Sequence, residues 1–369
     1  MTIGTNDIIS WLKFAEYIYQ HGSFSIYQNI ELYNHPPLMS WILKLLFIIH
    51  NQSDFSFQFL FRLMPILSDF GSVIIIWKLM EHYDIQNRVW IGIFCAVNPI
   101  NILVSGFHGN TDPIFIFLIL TTVYYYETGK IKLSGTLFGL SLCVKIVPIL
   151  LIPAFYVYIR DIKLRRKFFL SSLLIPLCVY TPYLIYDVIS VFRNIFLYGS
   201  IPGRWGFGQI FLWLSQNEAI PVGLGVYFEN LLYLHYQYGP LMIVAITIAI
   251  ILRFNQCNLN LLEYVFLTLS CFLILTPGFG VQYLSWLSLV GILISLKWGG
   301  LYGIVGGLFL YRVYTYWSGG FPMNYANSLS VGVEKWVGID KILILILWLI
   351  VCSMLFEFGR RNLFKKHKL

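Results

Sequence analysis

Apolar runs of roughly 15 to 25 residues, about the length that crosses a hydrocarbon core, recur along this chain from residue 57 to residue 358. No other feature limits its possible folds so strongly. Trp and Tyr crowd the ends of the runs in the manner of interfacial belts. Composition points the same way: of 369 residues, 58% are hydrophobic and 11% charged, outside the range of soluble domains. The expected fold is an all-α polytopic membrane protein with about eleven transmembrane helices, read at 57–80, 89–106, 112–128, 131–145, 146–159, 167–187, 238–253, 260–276, 281–297, 299–317 and 341–358. No soluble domain remains once these are set aside.

The formal charge of +8 follows the spans. The basic residues form no stripe with interleaved aromatics, so nucleic acid is not an expected partner. Alternating sides collect Lys78, Arg88, Lys130, Lys132, the cluster Arg160, Lys163, Arg165, Arg166 and Lys167, then Arg253, Lys297 and the tail from Arg360 to Lys368 on one face. That is most of the Lys and Arg, and by the positive-inside rule this face and the C-terminus are cytoplasmic. Asp7, Glu16, Glu31, Asp112, Asp187, Glu218, Glu229, Glu334 and Asp340 fall on the other face, with the loops 188–237 and 318–340. Of the 6 cysteines, Cys95, Cys143, Cys178, Cys271 and Cys352 lie in apolar runs and Cys257 in a short loop. They read as packing residues, with neither a disulfide framework nor a metal pair.

This orientation places residues 1–56 outside. Residues 6–20 have the spacing of an amphipathic helix, with Ile8, Trp11, Leu12, Ala15 and Ile18 near one face. Residues 37–50 are short for a span and follow the Pro pair of "YNHPP", which stops any earlier helix. Both read as interfacial helices. The whole chain, 1–369, reads as a single membrane-embedded unit: an external loop over 1–56, motif-bearing helices over 57–187, an external loop over 188–237, and C-terminal helices with a basic tail over 238–369.

Polar residues gather at the external depth. "SGFHGNTDPIF" sets His108, Asn110 and Asp112 directly against a hydrocarbon run. A turn accounts for part of this: Gly109 and Asn110 tolerate positive φ, Thr111 or Asp112 caps a helix, and Pro113 suits its first turn. It leaves His108 unexplained. Lys145 interrupts "LFGLSLCVKIVPILLIPAF", too long for one simple crossing, which reads as two short spans meeting outside. A lysine there pairs, snorkels or serves function. Asp7 lies in "GTNDIISW", where a helix N-cap is the alternative reading, and Asn34 and His35 lie in "YNHPPL". Arg62 and Asp69, two helical turns apart, have the spacing of an internal ion pair. "SIPGRWGFGQIF" offers Arg204, whose fork suits phosphate, among glycines that permit close backbone approach. Its Trp205 and Phe207 read equally as interfacial anchors. "TPGFGVQYLSW" brings Gln282 and Tyr283 to the mouth of a span.

In this order, the motifs resemble those of the membrane-embedded GT-C glycosyltransferases, which use polyprenyl-phosphate sugars as donors. "YNHPPL" followed by "FLFRLMPILSD" is similar to the end of their first external loop and the next span. "GFHGNTDPIF" is similar to a motif between the next two spans, and "LSLCVKIVPILLIP" to their Lys-containing hairpin. "FGVQYLSW" resembles the QYxxW-like segment of the GPI and dolichol-pathway mannosyltransferase branch. The resemblance covers residues 6 to about 290.

The resemblance implies that Asp7, the acidic residue early in the first external loop, is the catalytic base. It implies that Lys145, with Arg204, lies near the lipid phosphate of the donor, and that His108, Asn110 and Asp112 border the pocket. Asn34, His35, Arg62, Gln282 and Tyr283 complete the positioning set. Family members carry a span before the acidic residue; none precedes Asp7 here, so a first span upstream is expected. The paired-acid DxD arrangement is absent, since Asn6 and Ile8 flank Asp7. Neither a metal nor another cofactor is expected.

The function implied is transfer of a single hexose, mannose being the expected one, from a polyprenyl-phosphate carrier to a hydroxyl of a glycan, lipid or protein acceptor, with inversion. The active face is external, meaning periplasmic or cell-surface in a bacterium and lumenal in a eukaryote. A lipid or sugar transporter is the competing reading; it calls for ionisable groups near the midplane on broken helices within internal repeats. An external polysaccharide ligase or polymerase is a third, distinguished by transfer of a preassembled glycan.

Overall fold

The chain opens with two amphipathic helices folded onto one another. The computed structural model describes residues 4–318 and 336–364. Glu334 with most of the 318–340 segment, and Lys365, Lys366 and Lys368 of the tail, lie outside the described residues. Helix α1 (Asn6–His21) buries Ile8, Trp11, Phe14, Ala15 and Ile18. The sequence places Leu12 on this face, but Leu12 is only half-buried, and Phe14 takes the other flank by meeting Trp11 and Tyr33 edge-on. Each large apolar side chain removed from water contributes roughly 1.5–3 kcal/mol. The short α2 (Ile26–Asn29) turns the chain toward α3 (Pro37–Gln52), which carries Pro at its first position and packs on α1.

The membrane-crossing part follows. Ser56 caps α4 (Phe57–His82). The next span is built in pieces: α5 (Arg88–Ala96), a break at Asn98–Pro99, α6 (Pro99–Asn101), and a π-helical segment Ile102–His108. Helix α7 (Asp112–Glu127) and α8 (Ile131–Val144) come next. Lys145 then leaves helical geometry with φ −148° and ψ 145°, and a 3₁₀ turn (Val147–Leu151) leads into α9 (Ile152–Tyr158). Phe138 and Phe155 meet at 4.9 Å, so α8 and α9 run back along each other and Lys145 tops the hairpin. The break expected at this lysine is therefore present.

Asp161 caps α10 (Ile162–Phe196), accepting from the Lys163 and Leu164 amides. Helices α8 and α10 approach so closely that a Cβ at Gly135 or Gly139 would fall 2.3 or 2.2 Å from the Phe168 or Ser172 carbonyl oxygen. Only glycine fits, and the hairpin is fixed in height as a result. After α10 come α11 (Gly206–Ser215), α12 (Val222–Phe254) and α13 (Leu261–Leu275), the last begun by an Asn260–Glu263 capping box. A 3₁₀ turn (Val281–Leu284) feeds α14 (Ser285–Ile294), and α15 (Leu296–Trp317) and α16 (Asp340–Phe364) complete the chain.

Every expected span falls on helix, and five segments are long and apolar enough to cross a membrane by length and composition: 57–82, 88–108, 162–196, 222–254 and 340–363. Shorter apolar helices fill 131–144, 147–158, 261–275 and 281–294. The chain is an all-α, multi-pass integral membrane protein. The segment 188–237 is more ordered than a loop reading suggests. The backbone leaves helical geometry at Asp187, where the span was expected to end, yet helix resumes to Phe196, and α11 and the first turns of α12 occupy much of the remainder. Hydropathy marks where a helix leaves lipid, not where its hydrogen bonds stop.

Candidate active site

Three chain segments are linked through one carboxylate and the histidine beside it. Asp7 lies in the first turn of α1, where a negative charge is favoured by the helix dipole. His108 ends the π-helical segment, and Gly109 follows at φ +69°. A Cβ on Gly109 would sit 2.3 Å from Ile8 Cδ1, so the glycine permits both the turn and the close approach of α1. As a result His108 Nε2 lies 2.8 Å from Asp7 Oδ2, and Asn110 Nδ2 donates to the same oxygen at 2.7 Å. Oδ1 makes no hydrogen bond among the described residues, and the Asp7 side chain keeps 33% of its surface.

Facing a carboxylate, Nε2 of His108 is the donor, and Nδ1 meets the Tyr314 hydroxyl of α15 at 2.8 Å. Asp7, His108 and Tyr314 thus form a continuous chain reaching into the bundle. Burial by itself would raise the Asp7 carboxyl, but the charge and hydrogen bond of His108 and the hydrogen bond of Asn110 outweigh it and hold the group below its ordinary range. The loop beneath is pinned as well: Thr5 donates to the His108 carbonyl at 3.2 Å, and Arg62 to the Phe107 carbonyl at 3.2 Å.

A second carboxylate starts the next helix. Asp112 is fully buried and accepts through Oδ1 from Lys145 Nζ at 2.6 Å and from the Trp286 indole. Its other oxygen has no partner among the described residues. The Lys145 ammonium also faces the rings of Phe115, Tyr283 and Trp286 at 5.7, 5.4 and 5.3 Å, an arrangement that favours a cation. The hairpin lysine is therefore a paired, oriented charge, 14% exposed.

His35 completes this centre. It lies within electrostatic reach of both Asp7 and Lys145. Burial, then the Lys145 charge, lowers its pKa to about 3 against the opposing pull of Asp7, so the ring is neutral at pH 7. Asn34 reaches the hydroxyl of Tyr198, which is itself within electrostatic reach of Asp7.

The two remaining motifs are joined to each other. Pro202 bridges to Gly278, the Phe279 amide donates to the Ile201 carbonyl, and Trp205 stacks on Phe279 at 4.5 Å. Phe279 in turn meets Tyr283 edge-on at 5.9 Å, which carries this layer to the Lys145 cage. Trp205 is thus a buried packing residue. Arg204 lies over Trp336 at 5.9 Å, and the Trp336 indole donates to the Arg204 carbonyl. Gln282 lies against Gly280 at the entrance of the 3₁₀ turn.

Arg62 and Asp69 do not serve one another as their spacing suggests. Arg62 reaches to Phe107, while Asp69 accepts from Asn101 at 2.7 Å, and Asn101 accepts in turn from Ser288. Tyr314 and Trp286 were not singled out by the sequence. Trp286 stands inside the QYxxW-like segment and was findable there; Tyr314 is one aromatic in an apolar span and gives no local signal.

Comparison with known proteins agrees with the resemblance carried by the motifs. Residues 34–186 match the dolichyl-phosphate-mannose-protein mannosyltransferase family. GPI mannosyltransferase 1 of Saccharomyces cerevisiae is 29% identical over 163 residues, which is 43% of this chain and 38% of that protein. The Debaryomyces hansenii protein of the same name is 27% identical over 169 residues, 43% of this chain and 39% of the relative. That of Eremothecium gossypii is 26% identical over 141 residues, 37% and 33%. The match spans well under half the length of these relatives. The chain is similar to the mannosyltransferase-like membrane proteins of the GT-C superfamily.

Proposed function

We propose that this chain is a glycosyltransferase that moves mannose from a polyprenyl-phosphate carrier to a hydroxyl of a glycan, lipid or protein acceptor, at the external face of its membrane and with inversion. The observation that carries this reading is the Asp7 carboxylate. It is kept ionised, is oriented through Oδ2 by His108 and Asn110, and leaves Oδ1 for a substrate.

In the proposed step the acceptor oxygen attacks the anomeric carbon of the donor sugar while the bond from that carbon to the phosphate oxygen breaks. The acceptor proton goes to Asp7, and the polyprenyl phosphate leaves with the bonding electrons. Proton removal by a positioned carboxylate contributes about 10²–10⁴-fold. A low pKa suits Asp7 to accept late, when the attacking oxygen has become acidic, and the His108–Tyr314 chain steadies the carboxylate throughout.

Lys145 is the group for the leaving phosphate. Asp112 and Trp286 fix one side of it, so its remaining N–H donors are pre-aimed instead of being reorganised during the reaction. Arg204, on the loop layer that ends at Tyr283, is assigned to the same phosphate. Asn34, His35 and Tyr283 are assigned to positioning the sugar between base and leaving group. Arg62, Asn110 and Gln282 position the loops. The lipid tail lies between helices, and the C-terminus is cytoplasmic.

The reading is tested by supplying membranes containing the protein with radiolabelled polyprenyl-phosphate mannose, polyprenyl-phosphate glucose or a nucleotide-linked mannose. Transfer from the first alone is the expected result. Transfer from the nucleotide-linked sugar without the lipid-linked one would reject the donor class.

A further inference from the structure

His35 is held more firmly than a loop histidine needs to be. Its ring lies on the Trp11 indole with centroids 4.1 Å apart, and Tyr33 meets its edge at 5.8 Å. Tyr27 donates to its carbonyl at 2.5 Å. Pro36 and Pro37 follow, which restricts the backbone of His35 to extended geometry and stops it following α3. Yet neither ring nitrogen makes a hydrogen bond among the described residues. The imidazole is oriented by packing alone, with both polar atoms left over.

Its place gives those atoms a use. In a single inverting displacement the sugar lies between the base that takes the acceptor proton and the cation that meets the leaving phosphate. The Trp11 on which His35 lies is one helical turn along α1 from Asp7, and His35 also feels the Lys145 charge, a place that would flank the sugar between base and leaving group. A neutral imidazole offers one N–H donor and one acceptor nitrogen, and a sugar hydroxyl offers the same pair in reverse. A protonated ring would offer donors only, and would sit badly beside a lysine. The Lys145 charge favours the neutral form that this pairing needs.

We infer that His35 is the specificity-determining residue that reads hydroxyl groups of the transferred sugar. This rests on the donor class proposed above. A site built to hydrogen-bond a hydroxyl discriminates against ligands lacking it far better than an apolar pocket does, because its own polar atoms are then left unpaired.

The test uses the full chain in nanodiscs, with polyprenyl-phosphate mannose and bare polyprenyl phosphate as the two ligands. Wild type should bind the mannosyl lipid about tenfold more tightly than the bare lipid, the size of one good hydrogen bond. His35→Ala should lose that increment and keep its affinity for the bare lipid, which also shows that the variant is folded. His35→Gln, which carries a donor and an acceptor, should retain part of it. In transfer assays the preference for mannose over glucose should fall about tenfold in His35→Ala. An unchanged sugar increment in His35→Ala would overturn the inference alone and leave the donor class standing. Equal loss for both lipids would overturn it too, by moving His35 to the phosphate or to a structural role. Wild type binding neither lipid would remove the donor class and this inference together.

Discussion

Helix α7 has a carboxylate at each end, and the two ends are built to different purposes. At its C-terminus Glu127 Oε1 accepts from the hydroxyls of Tyr83 and Tyr158, at 3.0 and 2.9 Å, while His82 approaches Oε2 at 3.9 Å. One acid there ties the ends of α4, α7 and α9, and its side chain is 12% exposed. At the N-terminus Asp112 holds Lys145 and Trp286, and Asp7 stands nearby with its two donors on one oxygen. Among the described residues one oxygen of Asp112 and one of Asp7 are left unmatched, and His35 has both ring nitrogens unmatched. A fold that only needed clamping would satisfy both ends alike. The unmatched atoms at the α7 N-terminus are the ones that the proposed substrate would complete.

Lys145 carries the largest expected effect. Removing one partner of a buried pair leaves the other uncompensated, which costs about 3–5 kcal/mol. Lys145→Ala should therefore lower the melting temperature strongly, and Lys145→Met with Asp112→Asn should recover much of the loss. If Lys145→Ala is as stable as wild type, the pair does not organise this end. Tyr314→Phe comes next: it removes the hydroxyl behind His108 and should reduce turnover about tenfold, with a stability loss of only about 1 kcal/mol. Turnover unaffected by Tyr314→Phe would shorten the relay to Asp7 and His108.

Glu127→Gln is the matching change at the other end. Since neutral donors meet Glu127, an amide oxygen keeps most of the clamp, and the expected cost is about 1 kcal/mol with turnover unchanged. A large loss of turnover would erase the contrast between the ends. A separate effect shows in the pH dependence. Unfolded His35 takes up a proton as pH falls below about 6.5, whereas the folded ring stays neutral down to about 3. In that window the unfolded state binds more protons, so stability falls as pH is lowered through it. The depressed Asp7 extends the decline below the ordinary carboxylate range. His35→Gln should flatten the part between about pH 6 and 4, read as melting temperature against pH; an unaltered slope would mean that the ring is not held neutral.

Much of this was legible in the sequence because lipid makes the penalties large. Apolar runs had to be helices, and His108, Asn110, Asp112 and Lys145 stood out because each is costly beside hydrocarbon. Asp7 and His35 were found through their motifs. The pairing of Lys145 with Asp112 was not legible, since it depends on the height at which glycine contacts fix α8 against α10. Tyr314 and the π-helical segment that aims His108 were hidden for a different reason: in a chain with 18% aromatic residues, one more tyrosine in a span carries no signal. The Arg62 and Asp69 spacing misled because a shared helical face does not decide between partners. Asn101 was simply nearer to Asp69.

The most direct measurement compares single-turnover transfer by wild type and Asp7→Asn, with donor saturating and folding verified by lipid binding. Asparagine keeps the size and accepts hydrogen bonds but cannot take a proton. If Asp7 is the base, transfer falls about 10²–10⁴-fold with donor affinity retained. Full transfer by Asp7→Asn would contradict that role, and would leave the open end of α7 without its base.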